Sequence, residues 1–373
     1  MHADSLLILL GAFGILSVVL LYPLVLLLLP RRKAPALPSV PETWPAVTMI
    51  TAARNAAALL PAKRENFFAL DYPPERLRWL VVSDGSTDHT RQVVEDNPDP
   101  RIRLLELGER RGKAAALNLA VEQADTGLLL FSDADAILEP GAVRKLARHF
   151  SDPAVGGVCG QRRTSRDGAR LRDAQQSYIN LDSRLRMLES AHGRISSNDG
   201  KIHMIRRTLF EAIPQGVSDD FYTLLAVTAR NVCFLFEPGA VARINLPARD
   251  VRHEIRRRRR VVLISWVGLF RKPFLLNPRR FGGFALGLWV NKIGRRLLPF
   301  FLLMLAAGTV WALCAVPLVL AVFFAAGIGG VLVFRHVQYI LAGLLGTAWG
   351  VVDFVIGRRI VSWEPEKSKE ETP

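Results

Sequence analysis

Long apolar runs occupy both ends of the chain, and between them short apolar runs alternate with amphipathic stretches. Leu6 to Leu29 contains no charged residue. At about 1.5 Å of rise per residue, a helix of that length matches a hydrocarbon core of roughly 30 Å. The preceding MHADS holds an acid and no Lys or Arg, whereas Arg31, Arg32 and Lys33 follow directly. That order predicts an uncleaved anchor over residues 1–30 and not a signal peptide. Positive charge stays cytoplasmic, so the N-terminus is expected outside and the domain that follows inside, at the cell (plasma) membrane.

The C-terminal third repeats the pattern. Leu297 to Phe334 is almost continuously apolar and too long for one span, with Pro317 near its middle as a break. Val337 to Gly357, apolar except for Gln338 and Asp353, is followed by Arg358 and Arg359. It either spans or lies in the interface, so residues 297–357 are expected to hold two or three membrane segments, ahead of a polar tail at 358–373. A basic, amphipathic interfacial segment is expected over 251–296, and a stiff Pro-rich linker over 31–46.

Residues 47–250 read as one cytoplasmic domain. VTMITAARN, LRWLVVSD, RIRLLEL and TGLLLFSDADA are strand-like, and helical patterns follow each: Asn55 towards Leu70, Thr87 to Glu95, GKAAALNLAVEQA, and Pro140 to Phe150. Such alternation predicts an α/β, Rossmann-like domain with a mostly parallel sheet covered on both faces. In these sheets ligands bind beyond the carboxyl ends of the strands.

Two acidic clusters fall at such ends. In VVSDGSTD, Asp84 follows the buried run and Gly85 permits a sharp turn; Ser86, Thr87 and Asp88 equally suit a helix cap. In Ser132-Asp133-Ala134-Asp135 the carboxylates stand at i and i+2, on the same side of an extended backbone. Facing carboxylates ask for a cation, and Mg²⁺ or Mn²⁺ takes such oxygens together with substrate phosphates.

Half of the residues are hydrophobic, and the mean hydropathy is positive, too apolar for a wholly soluble protein. The net charge of +15 is concentrated beside the membrane segments, notably in RHEIRRRRR from Arg252 to Arg260. Membrane lipid is therefore the expected partner and nucleic acid is not. Cys159, Cys233 and Cys314 lie far apart, without zinc spacing or a disulfide framework. No H-E-x-x-H, G-x-S-x-G or P-loop occurs.

VTMITAARN, VVSDGSTDHT, GKAAALN, LLFSDADA and SDDF, in that order and spacing, resemble the membrane-bound family 2 glycosyltransferases, over roughly Val47 to Pro238. The resemblance implies a single GT-A-like domain and a nucleotide-sugar donor, UDP-linked. It places Asp84 at the uracil and Lys113 near the diphosphate, while Asp88, in the same donor loop, equally suits a helix cap. Asp133 is implied as the ribose contact and, with Asp135, as a metal ligand, Asp135 being the direct one. Asp220, second acid of SDDF, is implied as the catalytic base with Asp219 as substitute. SSNDGKIHMIRRTLF matches the segment lining the acceptor and donor-sugar pocket, through Gly200 and Arg206 or Arg207.

A carboxylate base facing a divalent cation across the sugar implies direct displacement and an inverted product. Processive polysaccharide synthases of the family carry Q-x-x-R-W or R-x-x-R-W after the base motif. Here Trp266 follows Ser265. A non-processive enzyme acting on a lipid-linked or membrane-proximal acceptor, making a cell-envelope glycan or glycolipid, is therefore expected. A processive synthase, a nucleotidyltransferase and a catalytically silent, membrane-anchored binding subunit are the alternatives.

Overall fold

The structure is a computed structural model that describes residues 3–33, 41–96, 98–164, 170–244, 251–313, 319, 322 and 335–358. Pro317, Cys314, residues 34–40 of the linker and residues 359–373 of the polar tail lie outside the described residues. Helix α1 (Ala3–Leu28) precedes the sheet domain. That domain runs β1 (Val47–Ala53), α2 (Leu60–Phe68), β2 (Leu77–Asp84), α3 (Thr90–Glu95), β3 (Ile102–Leu107), α4 (Lys113–Gln123) and β4 (Leu128–Phe131). It continues through β5 (Ala136–Leu138), α5 (Ala142–Ala147), β6 (Val155–Thr164), α6 (Arg170–Ser190), β7 (His203–Arg206), α7 (Asp219–Ala229) and β8 (Cys233–Ile244). Helices α8 (Val251–Phe270), α9 (Pro278–Gly287), α10 (Arg295–Leu313) and α11 (Arg335–Val355) follow, with a π-helical stretch Leu288–Gly294 joining α9 to α10.

The eight strands form one sheet in the order β3-β2-β1-β4-β7-β6-β8-β5. β1 pairs parallel with β2 and β4, and β2 with β3. Beyond β4 the sheet is mixed: β7 is antiparallel to β4 and β6, β8 is parallel to β6, and β5 is antiparallel to β8. The mostly parallel sheet expected is thus fully parallel in the half that carries the repeated strand-helix units, β1 to β4, and mixed beyond it. The short β7, HMIR, shows no strand alternation of its own and enters the sheet from the far side.

Side chains alternate between two cores, as strand periodicity requires. Trp79 and Val81 of β2 pack with α2 and α5, while Leu80 and Val82 pack with α4, α7 and residues as distant as Leu275, Phe281 and Leu288. The second core therefore joins the sheet to the helices that lead towards the apolar C-terminal region.

Two helices, Ala3–Leu28 and Pro278–Ala312, are long and apolar enough to cross a membrane by length and composition. They cross closely through small residues, as helices do in lipid. A Cβ on Gly11 would stand 2.7 Å from the Leu305 nitrogen, and one on Gly308 would stand 2.8 Å from the Asp4 carbonyl oxygen. Leu9, Phe13, Leu28 and Leu303 stay exposed. Helix α11 packs on α8 in the same way, with Gly346 and Gly350 each placing a would-be Cβ 2.6 Å from the carbonyl oxygens of Ile255 and Arg259.

Candidate active site

The carboxyl ends of β1, β2 and β4 and the N-terminus of α7 meet at one rim. At the end of β2, Asp84 is buried, and its Oδ1 accepts from the backbone N–H of Arg111 (2.7 Å) and Gly112 (3.0 Å). Gly85 adopts φ +58, and a Cβ there would lie 2.5 Å from the Arg110 nitrogen. The turn therefore needs glycine, and it locks the β2 loop against the approach to α4. Asp88 stands just before α3 and accepts from Thr90 N–H at 3.1 Å, and its other oxygen accepts from Ala57 N–H at 3.1 Å. Asn55, itself at φ 49, donates its backbone N–H to Ser86 Oγ and accepts from Thr87 N–H through Oδ1. The β1 and β2 loops are thus one hydrogen-bonded unit.

Asp133 and Asp135 follow β4 in a turn closed by the Ala136 N–H to the Asp133 carbonyl, not on the extended backbone expected from their spacing. The turn nevertheless brings their carboxylates together. Lys113 Nζ lies 2.8 Å from Asp133 Oδ1 and 2.9 Å from Asp219 Oδ2. Lys201 Nζ lies 3.0 Å from Asp133 Oδ2 and 2.6 Å from Asp135 Oδ1. Beneath them the fully buried Lys63 donates to Ser132 Oγ at 2.6 Å and to the Ala136 carbonyl.

Charge sets the protonation of this cluster. Burial alone would raise the Asp133 carboxyl, but Lys113 and Lys201 override it and hold it well below the carboxylate range. Burial pulls the Lys63 ammonium down to about 7, against the opposing charges of Asp133 and Asp135. Asp220 moves the other way: burial and the neighbouring Asp219 charge push its carboxyl up. Its Oδ1 accepts from the Ser218 hydroxyl and from Phe221 N–H (2.7 Å), while Oδ2 stands 3.6 Å from the point a Cβ on Gly200 would occupy.

The structure therefore gathers Lys113, Asp133, Asp135, Asp219 and Asp220, with Asp84 bonded to the loop that opens α4. It does not bring Arg206 to them. That guanidinium donates to the carbonyls of Val155, Phe150 and Asp152, bracing β6, and Arg207 is exposed. Asp199 is buried beside Arg162 and Arg186 and accepts from Lys201 N–H at 3.1 Å, which shapes the turn before β7.

Sequence reasoning missed Lys63, Lys201 and His203. His203 stacks on Phe131 with centroids 4.8 Å apart, and burial lowers its imidazole to about 4, so it is neutral. It also missed Lys292, whose Nζ donates to Ser197 Oγ at 3.0 Å and lies 4.5 Å from the Phe221 ring, next to Asp220.

Among the described residues no group of three or more His, Cys, Asp or Glu converges as a metal cage. The pair Asp133 and Asp135 fits a different donor set, that of a hard cation which keeps water and takes its remaining oxygens from phosphates.

Parallel β-α units with an acidic pair after the fourth strand and a buried carboxylate at a facing helix N-terminus define the GT-A class of sugar-nucleotide enzymes. Residues 48–213 match the profile of the family described as Glycosyl transferase family 2, and the chain carries a family 2 glycosyltransferase domain. An N-acetylglucosaminyltransferase of Rhizobium sp. (strain N33) is 26% identical over 296 residues, 74% of this chain and 64% of that protein. A poly-beta-1,6-N-acetyl-D-glucosamine synthase of Staphylococcus aureus (strain COL) is 26% identical over 167 residues, 43% of this chain and 40% of that protein. The chain thus spans less than two thirds of the length of these curated relatives. A mannosyltransferase from Pyrobaculum calidifontis, solved in complex with GDP-Man and Mn²⁺, superposes with a TM-score of 0.74 at 26% identity, covering 95% of this chain and 99% of that one.

Proposed function

We propose that this chain transfers a sugar, with inversion, from a nucleotide-diphosphate sugar, UDP-linked, to a lipid-linked or membrane-proximal acceptor at the cytoplasmic face of the plasma membrane. One observation carries the reading: Lys113 holds Asp133 at 2.8 Å and Asp219 at 2.9 Å, so the donor acids and the base motif share a single ammonium. The names of the relatives, two acting with N-acetylglucosamine and one with GDP-mannose, support a nucleotide-linked hexose donor.

In this reading Asp84 contacts the nucleobase through the carboxylate capacity that its two backbone donors leave, Asp133 the ribose, and Lys113 the diphosphate. A divalent cation, Mg²⁺ or Mn²⁺, would be held by Asp135 with Asp133 and would supply positive charge beside the departing diphosphate. Asp220 takes the proton from the acceptor hydroxyl as that oxygen attacks the anomeric carbon. Its raised pKa suits a base that must hold a proton transiently near neutral pH. Lys292, in the π-helical stretch before α10, bonds Ser197 and lies over Phe221, the neighbour of the base, which favours an acceptor presented at the membrane surface.

Non-processive transfer is supported by Trp266. Its indole N–H donates to the Lys292 carbonyl at 2.7 Å and its ring packs edge-on to Phe354 at 5.3 Å, a structural employment of that side chain. A panel of radiolabelled UDP- and GDP-sugars incubated with membranes containing the protein, followed by lipid extraction, tests the proposal. Label from one donor in a lipid fraction carrying one or very few sugars is the expected result. Long polymer made by this protein alone, or pyrophosphate released from a nucleoside triphosphate, contradicts it.

A further inference from the structure

Lys201 takes no part in the steps above, yet it makes the closest contacts to the acidic pair. One ammonium stands 3.0 Å from Asp133 Oδ2 and 2.6 and 2.8 Å from the two oxygens of Asp135, so it spans the pair and uses its donors there. A divalent cation held by the same carboxylates needs those oxygens at about 2.0–2.1 Å if it is Mg²⁺. Like charges brought that close repel strongly outside bulk water, and a doubly charged ion more strongly than a single charge. Ammonium and cation therefore exclude each other.

The three lysines differ in their freedom to leave. Lys63 is fully buried and committed to Ser132 and Ala136. Lys113 keeps Asp219 as a second partner if Asp133 is engaged elsewhere. Among the described residues Lys201 has only the acidic pair for its ammonium; its side chain is 20% exposed, and Asp135 beside it is 41% exposed. Displaced from the pair, it regains an anionic partner only if one arrives with the cation, and the diphosphate of the donor is that anion.

We propose that Lys201 is the resident counter-ion of Asp133 and Asp135, and that its displacement couples divalent-cation binding to binding of the nucleotide diphosphate. The inference rests on the reading of these two acids as cation ligands. By linkage, the factor by which nucleotide tightens cation binding equals the factor by which cation tightens nucleotide binding. Lys201 raises that factor, because it penalises the cation alone more than it penalises cation and diphosphate together.

Mn²⁺ binding to the full chain in detergent, followed by the electron paramagnetic resonance of free Mn²⁺, tests this without turnover. It is measured alone, with UDP and with GDP. Lys201→Met is expected to bind Mn²⁺ without nucleotide at least about tenfold more tightly than the natural protein, and to gain correspondingly less when nucleotide is added. Lys201→Arg, which keeps the charge, is expected to follow the natural protein in both respects. Should Lys201→Met fail to fold, judged by its unfolding midpoint, Lys201→Gln replaces it. A neutral variant whose nucleotide-free affinity equals or falls below the natural value overturns the inference. The reading of the acids survives that result if nucleotide still promotes Mn²⁺ binding and Asp135→Asn removes it. Absence of Mn²⁺ binding in every variant, with or without nucleotide, overturns both.

Discussion

Two clusters of ionised side chains, one where α8 meets α11 and one at the rim of the sheet, are built differently. Where α8 meets α11, Glu254 and Asp353 are each only 2% exposed and are closed by guanidinium groups: Arg257 and Arg258 on Glu254, Arg259 and Arg358 on Asp353. Burial would raise the Glu254 carboxyl, but the two arginines override it and pull it down to about 2. At the rim of the sheet, Asp133, Asp135, Asp219 and Asp220 face the ammonium groups of Lys63, Lys113 and Lys201, and three of those acids are 23–41% exposed. Arginine forks that outnumber their acids leave no capacity for a ligand, whereas lysines hold carboxylates as mobile point charges and can be exchanged for another cation. The first arrangement makes structure and the second makes a site. It also changes the picture of the Arg256 to Arg260 run, because Arg257, Arg258 and Arg259 are engaged inside the molecule while Arg256 is left exposed.

If the α8–α11 cluster is closed, removing an acid should harm stability most. Asp353→Ala leaves Arg259 without its carboxylate over the Trp349 ring, and should cost about 3–5 kcal/mol. A drop in the unfolding midpoint in detergent checks this; an unchanged midpoint would show that the cluster is open to solvent. Lys63→Met comes next, since it strips a donor from Ser132 and Ala136 beneath the acidic turn, with an expected loss of about 1–3 kcal/mol. Nucleotide affinity should fall with it, which calorimetry would detect, because the turn that carries Asp133 and Asp135 loses its support.

The rim cluster should also separate binding from turnover by pH. The Asp220 carboxyl is pushed up and, as the proposed base, would have to be ionised to act, whereas Asp133 is held low. As pH falls through the raised Asp220 value, the transfer rate should drop before nucleotide affinity does; parallel loss of both would show that the two acids are not set apart. Arg256→Ala should have the smallest effect, within about 0.5 kcal/mol in stability, as expected for an exposed side chain outside the ion pairs among the described residues. A larger change would place it inside the closed cluster.

The parts of the site that were legible in sequence are those at which a buried strand ends in acids. Asp84 and Asp133 announced themselves by the abrupt change from apolar to acidic residues, and the strand-helix alternation gave the parallel half of the sheet. Lys63 and Lys201 were not legible in the same way, because an isolated lysine in a helix or loop reads as solvated surface. Lys63 did carry a weak signal: Leu60 and Phe67 stand three residues before and four after it, on the apolar face of α2. Lys201 carried none beyond its place after Gly200, since its role arises from β7 pairing with β4 across the sheet. That pairing, like the crossing of α8 and α11 at Gly346 and Gly350, is a long-range contact that no local pattern encodes.

The central claim is that the rim cluster is a transferase site with Asp220 as its base, and Asp220→Asn tests it most directly. Transfer rate and nucleotide affinity would be measured on one preparation of the variant and of the natural protein. Loss of the base should slow transfer by about 10²- to 10⁴-fold and leave nucleotide affinity unchanged, because the donor acids and Lys113 remain in place. Near-natural turnover in Asp220→Asn would contradict the account and pass the role of base to Asp219.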